Sequence, residues 1–135
     1  RGCEIRVLSI ERTFWEKATI LHMYANYPAD KSVPIRQSRH YYDTFCLLVS
    51  EAKDKAMGRI DLLEKVSEHK NIYFRSGWAD YDSAKSSKTL KLIPDERVLT
   101  AMKKDYQQMS EMFFDEPPNW EEVINAIKEF EDSLR

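Results

Sequence analysis

The sequence contains little of what turn-rich, disulfide-bonded or membrane-spanning proteins need. Only three glycines and five prolines occur in 135 residues, which argues against an all-β design. The two cysteines, Cys3 and Cys46, lack the spacing of a metal site, so we expect free thiols in a reducing cytoplasm. No apolar run approaches the roughly 18 residues of a membrane span, and no signal-peptide pattern is visible. We therefore expect a cytoplasmic protein that has no membrane partner.

The charge balance argues against a strongly basic nucleic-acid-binding protein. Charged residues make up 33% of the chain, but their signs nearly cancel and leave a net charge of −2. A nucleic-acid role would therefore need a local cationic patch. The apolar fraction of 42% can fill one core, and a chain of this length is one domain's worth. We predict a single helical domain over residues 1–135.

Apolar residues recur with the period of an α-helix along most of the chain. The predicted helices cover residues 11–25, 35–53, 61–73, 94–113 and 120–134. Two of them begin at candidate capping boxes, Asp61 with Glu64 and Asn119 with Glu122. The predicted fold class is mainly α: a bundle of five or six helices, with residues 4–9 as a candidate short strand.

Lys17 and Asp43 are the sharpest candidates for site residues. Lys17 lies about 60° around the first helix from Phe14, at the rim of its apolar stripe. Asp43 belongs to the second predicted helix, about one loop away. One interpretation is a structural ion pair, which contributes only about 0–1 kcal/mol when exposed. The other is a lysine that contacts nucleotide phosphates, with an aspartate that positions the lysine or the substrate.

A cationic cluster precedes Asp43 in an otherwise acidic chain. On one continuous helix Arg36, His40 and Asp43 would share a face, and Arg39 would lie within side-chain reach of Asp43. Arginine presents a fork of donors that suits phosphate oxygens. Phosphate or RNA binding by Arg36, Arg39 and His40 is therefore one interpretation. A solvated helix face whose arginines pair with acids is the other.

Three further positions have simpler explanations. His22 lies near the inward face of the first helix, where a packed and hydrogen-bonded histidine is the default. His69 and Lys70 near a helix end are typical of partners for the helix dipole, although a contact to RNA phosphate is an alternative. Asp105 shows no metal-ligand pattern.

Two stretches of the chain are distinctive, Val7-Leu8-Ser9 with Glu11 to Ala18, and Ser38 to Asp43. They resemble the C-terminal half of the AbiEii/AbiGii-type nucleotidyltransferase toxins of bacterial abortive-infection and toxin–antitoxin systems. Supporting similarity continues at His69-Lys70, Leu90 to Pro94, Asp105 to Met109 and Met112-Phe113. Lys17 matches the lysine of the family's third motif, and Asp43 matches the aspartate of its fourth. Broader relatives carry Arg-Asp-x-x-Asp there, whereas this chain has His40 at the first aspartate position.

The resemblance implies a nucleotidyltransferase that uses Mg²⁺ and a nucleoside triphosphate, with GTP preferred in some members. It implies tRNA as an acceptor, because related toxins transfer nucleotides to tRNA, and a cognate antitoxin as a partner. The family's Gly-rich motif with a metal-binding Asp-x-Asp downstream of it is absent from these residues. We therefore expect this chain to be the C-terminal helical part of a longer enzyme, inactive alone, with Mg²⁺ held mainly by residues outside it.

A second hypothesis is a non-catalytic helical module that binds an antitoxin or RNA. The reading frame upstream of Arg1 separates the two hypotheses, since a Gly-rich motif followed by paired aspartates there would support the enzyme.

Overall fold

The computed structural model describes residues 9–74, 77–112 and 116–135, and this part of the chain is mainly α-helical. Its α-helices are α1 (Ile10–Ala25), α2 (Arg39–Leu48), α3 (Ala52–Met57), α4 (Asp61–Tyr73), α5 (Tyr81–Ala84), α6 (Glu96–Ser110) and α7 (Trp120–Ser133). A 3₁₀ turn over Gly77–Ala79 precedes α5, and no β-strand is present in the described ranges. The prediction of a mainly α fold is confirmed. These ranges hold seven α-helices rather than five or six, because α3 and α5 have only 6 and 4 residues and leave no periodic signal.

Helix α1 lies at the centre of the bundle and contacts α2, α3, α4 and α5. Ser9 caps it, since the Ser9 hydroxyl accepts a hydrogen bond from the Arg12 amide. Phe14 packs edge-on against Trp15 and Phe130, with ring centroids 5.0 and 5.3 Å apart. The Trp15 indole also donates to the Ala56 carbonyl oxygen at 3.0 Å. These contacts fix the rotation of α1, and with it the direction of its polar rim.

The prediction of one continuous helix over residues 35–53 is wrong at both ends. Helix α2 begins only at Arg39, because residues 36–38 are held in a non-helical segment by α6. It ends at Leu48, and α3 begins at Ala52. Between them the Ser50 hydroxyl donates to the Leu47 carbonyl and accepts from the Ala52 amide. This local pairing competes with the helical hydrogen bonds and breaks the helix.

One of the two predicted capping boxes is present. The Asn119 side chain accepts from the Glu122 amide at 2.8 Å, and Glu122 accepts from the Asn119 amide at 3.2 Å. The other is wrong, because Asp61 lies inside the first turn of α4. Its carboxylate instead accepts a bidentate pair of hydrogen bonds from the Arg59 guanidinium, with N–O distances of 3.0 and 3.1 Å.

His22 is the packed, hydrogen-bonded histidine that its position predicts. It is 1% exposed, its Nδ1 accepts from the Lys91 amide at 2.9 Å, and its Nε2 lies 2.8 Å from the Asp80 carbonyl oxygen. Nε2 therefore carries the proton that is donated to Asp80. Burial is the main reason why the pKa of His22 falls below its usual value.

The structure bears on two predictions made from composition, the free cysteines and the lack of a membrane span. Cys46 is disulfide-bonded, so the prediction of a free thiol is wrong at that position. Cys3 and residues 4–8 of the candidate strand lie outside the described residues, as does Phe113 of the predicted fourth helix. Within the described ranges, no helix combines the length and the apolar character that crossing a membrane requires.

Candidate functional site

Helices α1 and α2 bring Lys17 and Asp43 together. The Lys17 ammonium donates to Asp43 Oδ2 at 3.0 Å, and the two side chains are 18% and 28% exposed. Lys17 reaches this position because its neighbours Phe14 and Ala18 point into the core. The pair is therefore shielded from bulk water on one side, where an ion pair interacts more strongly than on an open surface.

His40 completes this arrangement, and its hydrogen bonds define its tautomer. The Lys17 Nζ lies 3.2 Å from His40 Nδ1, and a lysine ammonium has only donors, so Nδ1 must accept. The proton is then on Nε2, which lies 3.2 Å from Gln37 Oε1. The same oxygen accepts from the Tyr24 hydroxyl at 2.8 Å. Lys17, His40 and Asp43, called here the paired cluster, are thus oriented by a chain of hydrogen bonds that continues to Tyr24.

His40 is held neutral by its surroundings. Burial lowers the pKa of His40, and the charges of Lys17 and Arg39 lower it further, to about 4. At neutral pH the imidazole therefore adds no charge of its own. It can accept a hydrogen bond from Lys17 and leave the other two ammonium hydrogens for Asp43 and a ligand.

Arg36 and Arg39 form no hydrogen bond or ion pair with the side chains of the paired cluster. They line a groove of about 400 Å³ against α6, called here the arginine groove, together with Ile35, Asp105, Gln108, Met109 and Met112. The predicted shared face of Arg36, His40 and Asp43 does not form, because Arg36 precedes α2. Asp43 pairs with Lys17 rather than with Arg39.

The guanidinium groups of Arg36 and Arg39 have no hydrogen-bond or ion-pair partner among the described residues. The other arginines of those ranges, Arg12, Arg59, Arg97 and Arg135, all bind a carboxylate or backbone carbonyl oxygens. The arginine groove is thus a place where two cations lie side by side without a protein anion. Exposed Ile35 and Met112 at its edge are 74% and 71% accessible to solvent.

Asp105 of α6 fixes the segment between the groove and the paired cluster. Its carboxylate accepts from the Arg36 amide at 2.6 Å, the Ser38 amide at 3.0 Å and the Ser38 hydroxyl at 2.5 Å. Arg36 has a φ of 63°, which is uncommon for a residue with a side chain. Burial alone would raise the pKa of Asp105, but hydrogen bonds from Ser38 and Arg36 hold it below its usual value. Asp105, which has no metal-ligand pattern in the sequence, therefore sets where α2 begins.

Lys70 of α4 is a further cation that the sequence did not assign to the site. Its ammonium lies 5.9 Å from the centroid of the Tyr81 ring. Burial lowers the pKa of Lys70 to about 8, with the charge of Glu16 acting against the shift and that of Lys17 adding to it. The sequence indicated a partner for the helix dipole. Helix α4, which carries Lys70, packs against α1, which carries Lys17, and no local pattern could have shown that packing.

A magnesium ion is implied by the family resemblance, but the described side chains do not fit one. No group of three or more histidine, cysteine or acidic residues in those ranges is arranged to hold a metal. Asp43 is committed to Lys17, and Glu16 pairs with Arg12 at 3.1 Å. Mg²⁺ prefers several oxygen ligands in an octahedral arrangement. The described residues by themselves therefore do not make a magnesium site.

Residues 1–132 match the family described as "Nucleotidyl transferase AbiEii toxin, Type IV TA system". Neither a curated protein nor a solved structure gives a significant match to the chain. The match covers both stretches that supply the paired cluster.

Proposed function

We propose that the paired cluster binds the phosphates of a nucleotide. The chain belongs to the AbiEii family of nucleotidyltransferase toxins of type IV toxin–antitoxin systems. The observation that supports this proposal is the contact between Lys17 and Asp43. Two residues 26 positions apart in the sequence meet at 3.0 Å, on adjacent helices at the rim of the core. Nucleotidyl transfer needs cationic donors that stabilise negative charge on the phosphates as it develops.

Each member of the paired cluster has a separate role in this proposal. Lys17 donates to phosphate oxygens of the nucleoside triphosphate and stabilises their charge in the transition state. Asp43 holds the Lys17 ammonium in place or activates the acceptor. His40 accepts from Lys17 and stays neutral, so that it orients the ammonium without repelling it. The substrate of this reaction is a nucleoside triphosphate, with GTP as one candidate.

Arg36 and Arg39 serve the acceptor in the same proposal. Their guanidinium groups have no partner among the described residues. Arg39 is followed directly by His40 at the start of α2, so a polyanion in the arginine groove would pass close to the paired cluster. RNA fits this description, and tRNA is the acceptor we propose. The forked donors of arginine can each contact two phosphate oxygens.

The chain supplies only part of the catalytic machinery in this proposal. Residues 1–135 act as the helical C-terminal domain of a longer cytoplasmic nucleotidyltransferase, and Mg²⁺ is held mainly by residues outside them. The cognate antitoxin is the functional partner. Incubation of this chain alone with a nucleoside triphosphate, Mg²⁺ and tRNA should give no transfer. Clear turnover would refute the division of the active site.

The central test is growth inhibition by the protein expressed from its complete reading frame. Lys17→Ala and Asp43→Ala should each abolish growth inhibition while the far-UV circular dichroism spectrum stays unchanged. Lys103→Ala is the matched control, because Lys103 also forms a lysine–carboxylate pair, to Glu121 at 3.1 Å, on an exposed surface of α6. Full toxicity in either Lys17→Ala or Asp43→Ala would sink the assignment.

A non-catalytic module that binds an antitoxin or RNA is the second candidate function. The unpaired arginines and exposed apolar edge of the arginine groove are the features that favour it. Under this function Arg36→Ala and Arg39→Ala would abolish partner binding, and Lys17→Ala would not affect growth.

A further inference from the structure

Gln37 connects the paired cluster to the segment that precedes α2. Its backbone carbonyl oxygen accepts from the His40 amide at 3.2 Å, and its side-chain Oε1 lies 3.2 Å from His40 Nε2. The amides of the flanking residues, Arg36 and Ser38, donate to the Asp105 carboxylate at 2.6 and 3.0 Å. The Gln37 side chain therefore meets the His40 ring from a backbone that is held on both sides.

Only one orientation of the Gln37 amide group fits its neighbours. The Lys17 ammonium has only donors, so His40 Nδ1 must accept from it and the His40 proton lies on Nε2. The amide must then present its oxygen, and not its NH2 group, to Nε2. The Tyr24 hydroxyl donates to the same oxygen at 2.8 Å, and burial raises the pKa of Tyr24 to about 12, so this hydroxyl keeps its proton. Each hydrogen of the chain from Tyr24 to Lys17 therefore has one place.

We propose that Gln37 is a positioning residue for nucleotide transfer, which acts by holding the His40 ring with Nδ1 toward the Lys17 ammonium. The geometry that carries this proposal is the pair of contacts that Gln37 makes to His40, one from its backbone and one from its side chain. With the ring fixed, the ammonium lies between Nδ1 at 3.2 Å and Asp43 Oδ2 at 3.0 Å. The effect on transfer rests on the proposed function, whereas the orientation of His40 does not.

A second proton on His40 would undo this arrangement. An imidazolium has two donors and no acceptor, so its Nδ1 would face the Lys17 ammonium donor to donor. The charges that act on His40 are those of Lys17 on α1, Arg39 and Asp43 on α2, and Lys70 on α4. Among them only the Asp43 carboxylate favours the imidazolium. The neutral amide of Gln37 accepts from Nε2 without adding a second negative charge.

Substitution of Gln37 by glutamate tests this role through pH. Gln37→Glu keeps an oxygen that can accept from Nε2 and adds a negative charge, so the pKa of His40 should rise from about 4 by at least about one unit, measured by NMR. Between pH 8 and pH 5, transfer by the protein from the complete reading frame should fall as His40 gains its proton, more steeply than in the unmodified protein.

Gln107→Glu is the matched control, because Gln107 is an exposed glutamine on α6. It should change neither the pKa of His40 nor the pH profile. An unchanged pKa of His40 in Gln37→Glu would overturn the proposal. A rate that does not follow the protonation of His40 would also overturn it.

Removal of the acceptor tests the orientation of His40 without requiring activity. Gln37→Met keeps the length of the side chain but not the oxygen. Long-range proton–nitrogen NMR of the labelled protein should show the His40 proton on Nε2, and a mixture of both tautomers in Gln37→Met. His22, whose Nε2 donates to the Asp80 carbonyl oxygen at 2.8 Å, is the reference that should not change. A His40 proton on Nδ1 in the unmodified protein, or an unchanged tautomer in Gln37→Met, would overturn the proposal.

The same variant separates positioning from substrate binding. In Gln37→Met, kcat for nucleotide transfer should fall about five- to tenfold, which corresponds to the loss of one hydrogen bond, and the KM for the nucleoside triphosphate should change less. A rise in KM at constant kcat would contradict a role in orienting Lys17 for the chemical step.

The outcomes also distinguish this proposal from the proposed function. If Lys17→Ala abolishes toxicity and Gln37→Met keeps the tautomer of His40, the function stands and the positioning role fails. If Lys17→Ala remains toxic and Gln37→Met changes the tautomer, Gln37 orients His40 as described and the proposed function fails.

Discussion

The paired cluster and the arginine groove both take residues from the start of α2, but their charged groups differ in whether they have partners. In the paired cluster Lys17 is within 3.0 Å of Asp43 and within 3.2 Å of His40. In the arginine groove the guanidinium groups of Arg36 and Arg39 have no partner in the described part of the chain. In the paired cluster the protein itself supplies the partners of the cation, whereas in the arginine groove the two cations are exposed to solvent.

The difference indicates different tasks for the two regions. Groups that are already held by hydrogen bonds need little reorganisation when charge develops on a substrate, and such preorganisation is what catalysis requires. Open arginines on a groove with exposed apolar residues instead contribute to affinity for an anionic partner, at the cost of ordering their long side chains. We therefore expect substitutions in the paired cluster to affect the chemical step and those in the groove to affect binding.

The largest effect should come from the paired cluster, and it should be non-additive. Lys17→Ala and Asp43→Ala should each lower the rate of nucleotide transfer by about 100-fold or more, because charge stabilisation in the transition state is lost. The double variant should be no slower than the slower single variant, since the two side chains act as a unit. Transfer of a labelled nucleotide by the full-reading-frame protein measures all three rates.

Two outcomes of this experiment would contradict a catalytic role for the paired cluster. If the effects of Lys17→Ala and Asp43→Ala multiply, the pair does not act as a unit, and the distinction between the two regions is lost. A fall in the melting temperature of either variant by more than a few degrees would instead indicate a structural ion pair.

Lys17 and Asp43 could be singled out from the sequence because each stands in a periodic or distinctive stretch. The apolar stripe through Phe14 places Lys17 at the rim of α1, and the stretch that ends at Asp43 marks α2. The sequence placed Arg36 on the same helix face, which is wrong. The start of α2 is set by Asp105, 69 residues further along the chain from Arg36. Local periodicity carries no information about such a contact.

The same limit explains what was missed. The packing of α4, which carries Lys70, against α1 is a contact between distant parts of the chain, and the break between α2 and α3 depends on the side chain of Ser50. The disulfide bond of Cys46 also escaped prediction, because two distant cysteines leave no spacing signal.

Asp105 should have an intermediate effect that reaches both regions. Asp105→Ala removes three hydrogen bonds from the segment of Arg36 to Ser38 and should lower the free energy of unfolding by about 1–3 kcal/mol. Transfer should also slow, because the start of α2 loses its anchor. Urea denaturation and the transfer assay measure the two effects. Asp132→Ala is the control, since Asp132 pairs with Lys128 on an exposed surface of α7.

Asp105→Asn sharpens the interpretation. The neutral amide retains an oxygen that can accept from the backbone but loses the charge. A variant that recovers most of the stability would show that the hydrogen bonds matter more than the charge. Unchanged stability in Asp105→Ala would show that the segment does not depend on Asp105.

The groove arginines should have smaller effects, mainly on the binding of an RNA acceptor. Arg36→Ala and Arg39→Ala should each weaken binding about three- to tenfold, and each should reduce the slope of log affinity against log salt by about one, since one phosphate fewer is neutralised. The maximum transfer rate should stay nearly constant. Binding of labelled tRNA over a range of salt concentrations measures both slopes. A large loss of maximum rate in either variant would mean that the arginines take part in the chemical step. The groove and the paired cluster would then not differ in task.

A further effect concerns His40 and the dependence of stability on pH. The folded protein holds the pKa of His40 at about 4, whereas an unfolded chain has a pKa near 6.5. Between these two values the unfolded chain binds a proton that the folded protein excludes. The free energy of unfolding therefore falls as the pH drops from 6.5 toward 4. His40→Gln, whose amide oxygen can still accept from Lys17, should reduce this fall, as measured by urea denaturation at pH 4.5 and pH 7.

The titration of His40 also compares the two regions directly. After burial, the charge of Lys17 lowers the pKa of His40 more than that of Arg39 does. Lys17→Met should therefore raise the pKa of the His40 imidazole, measured by NMR, further than Arg39→Met does. His22, whose pKa is also lowered by burial, provides an internal reference that neither substitution should move. An equal or larger change in Arg39→Met would mean that the arginine groove and the paired cluster share one electrostatic environment.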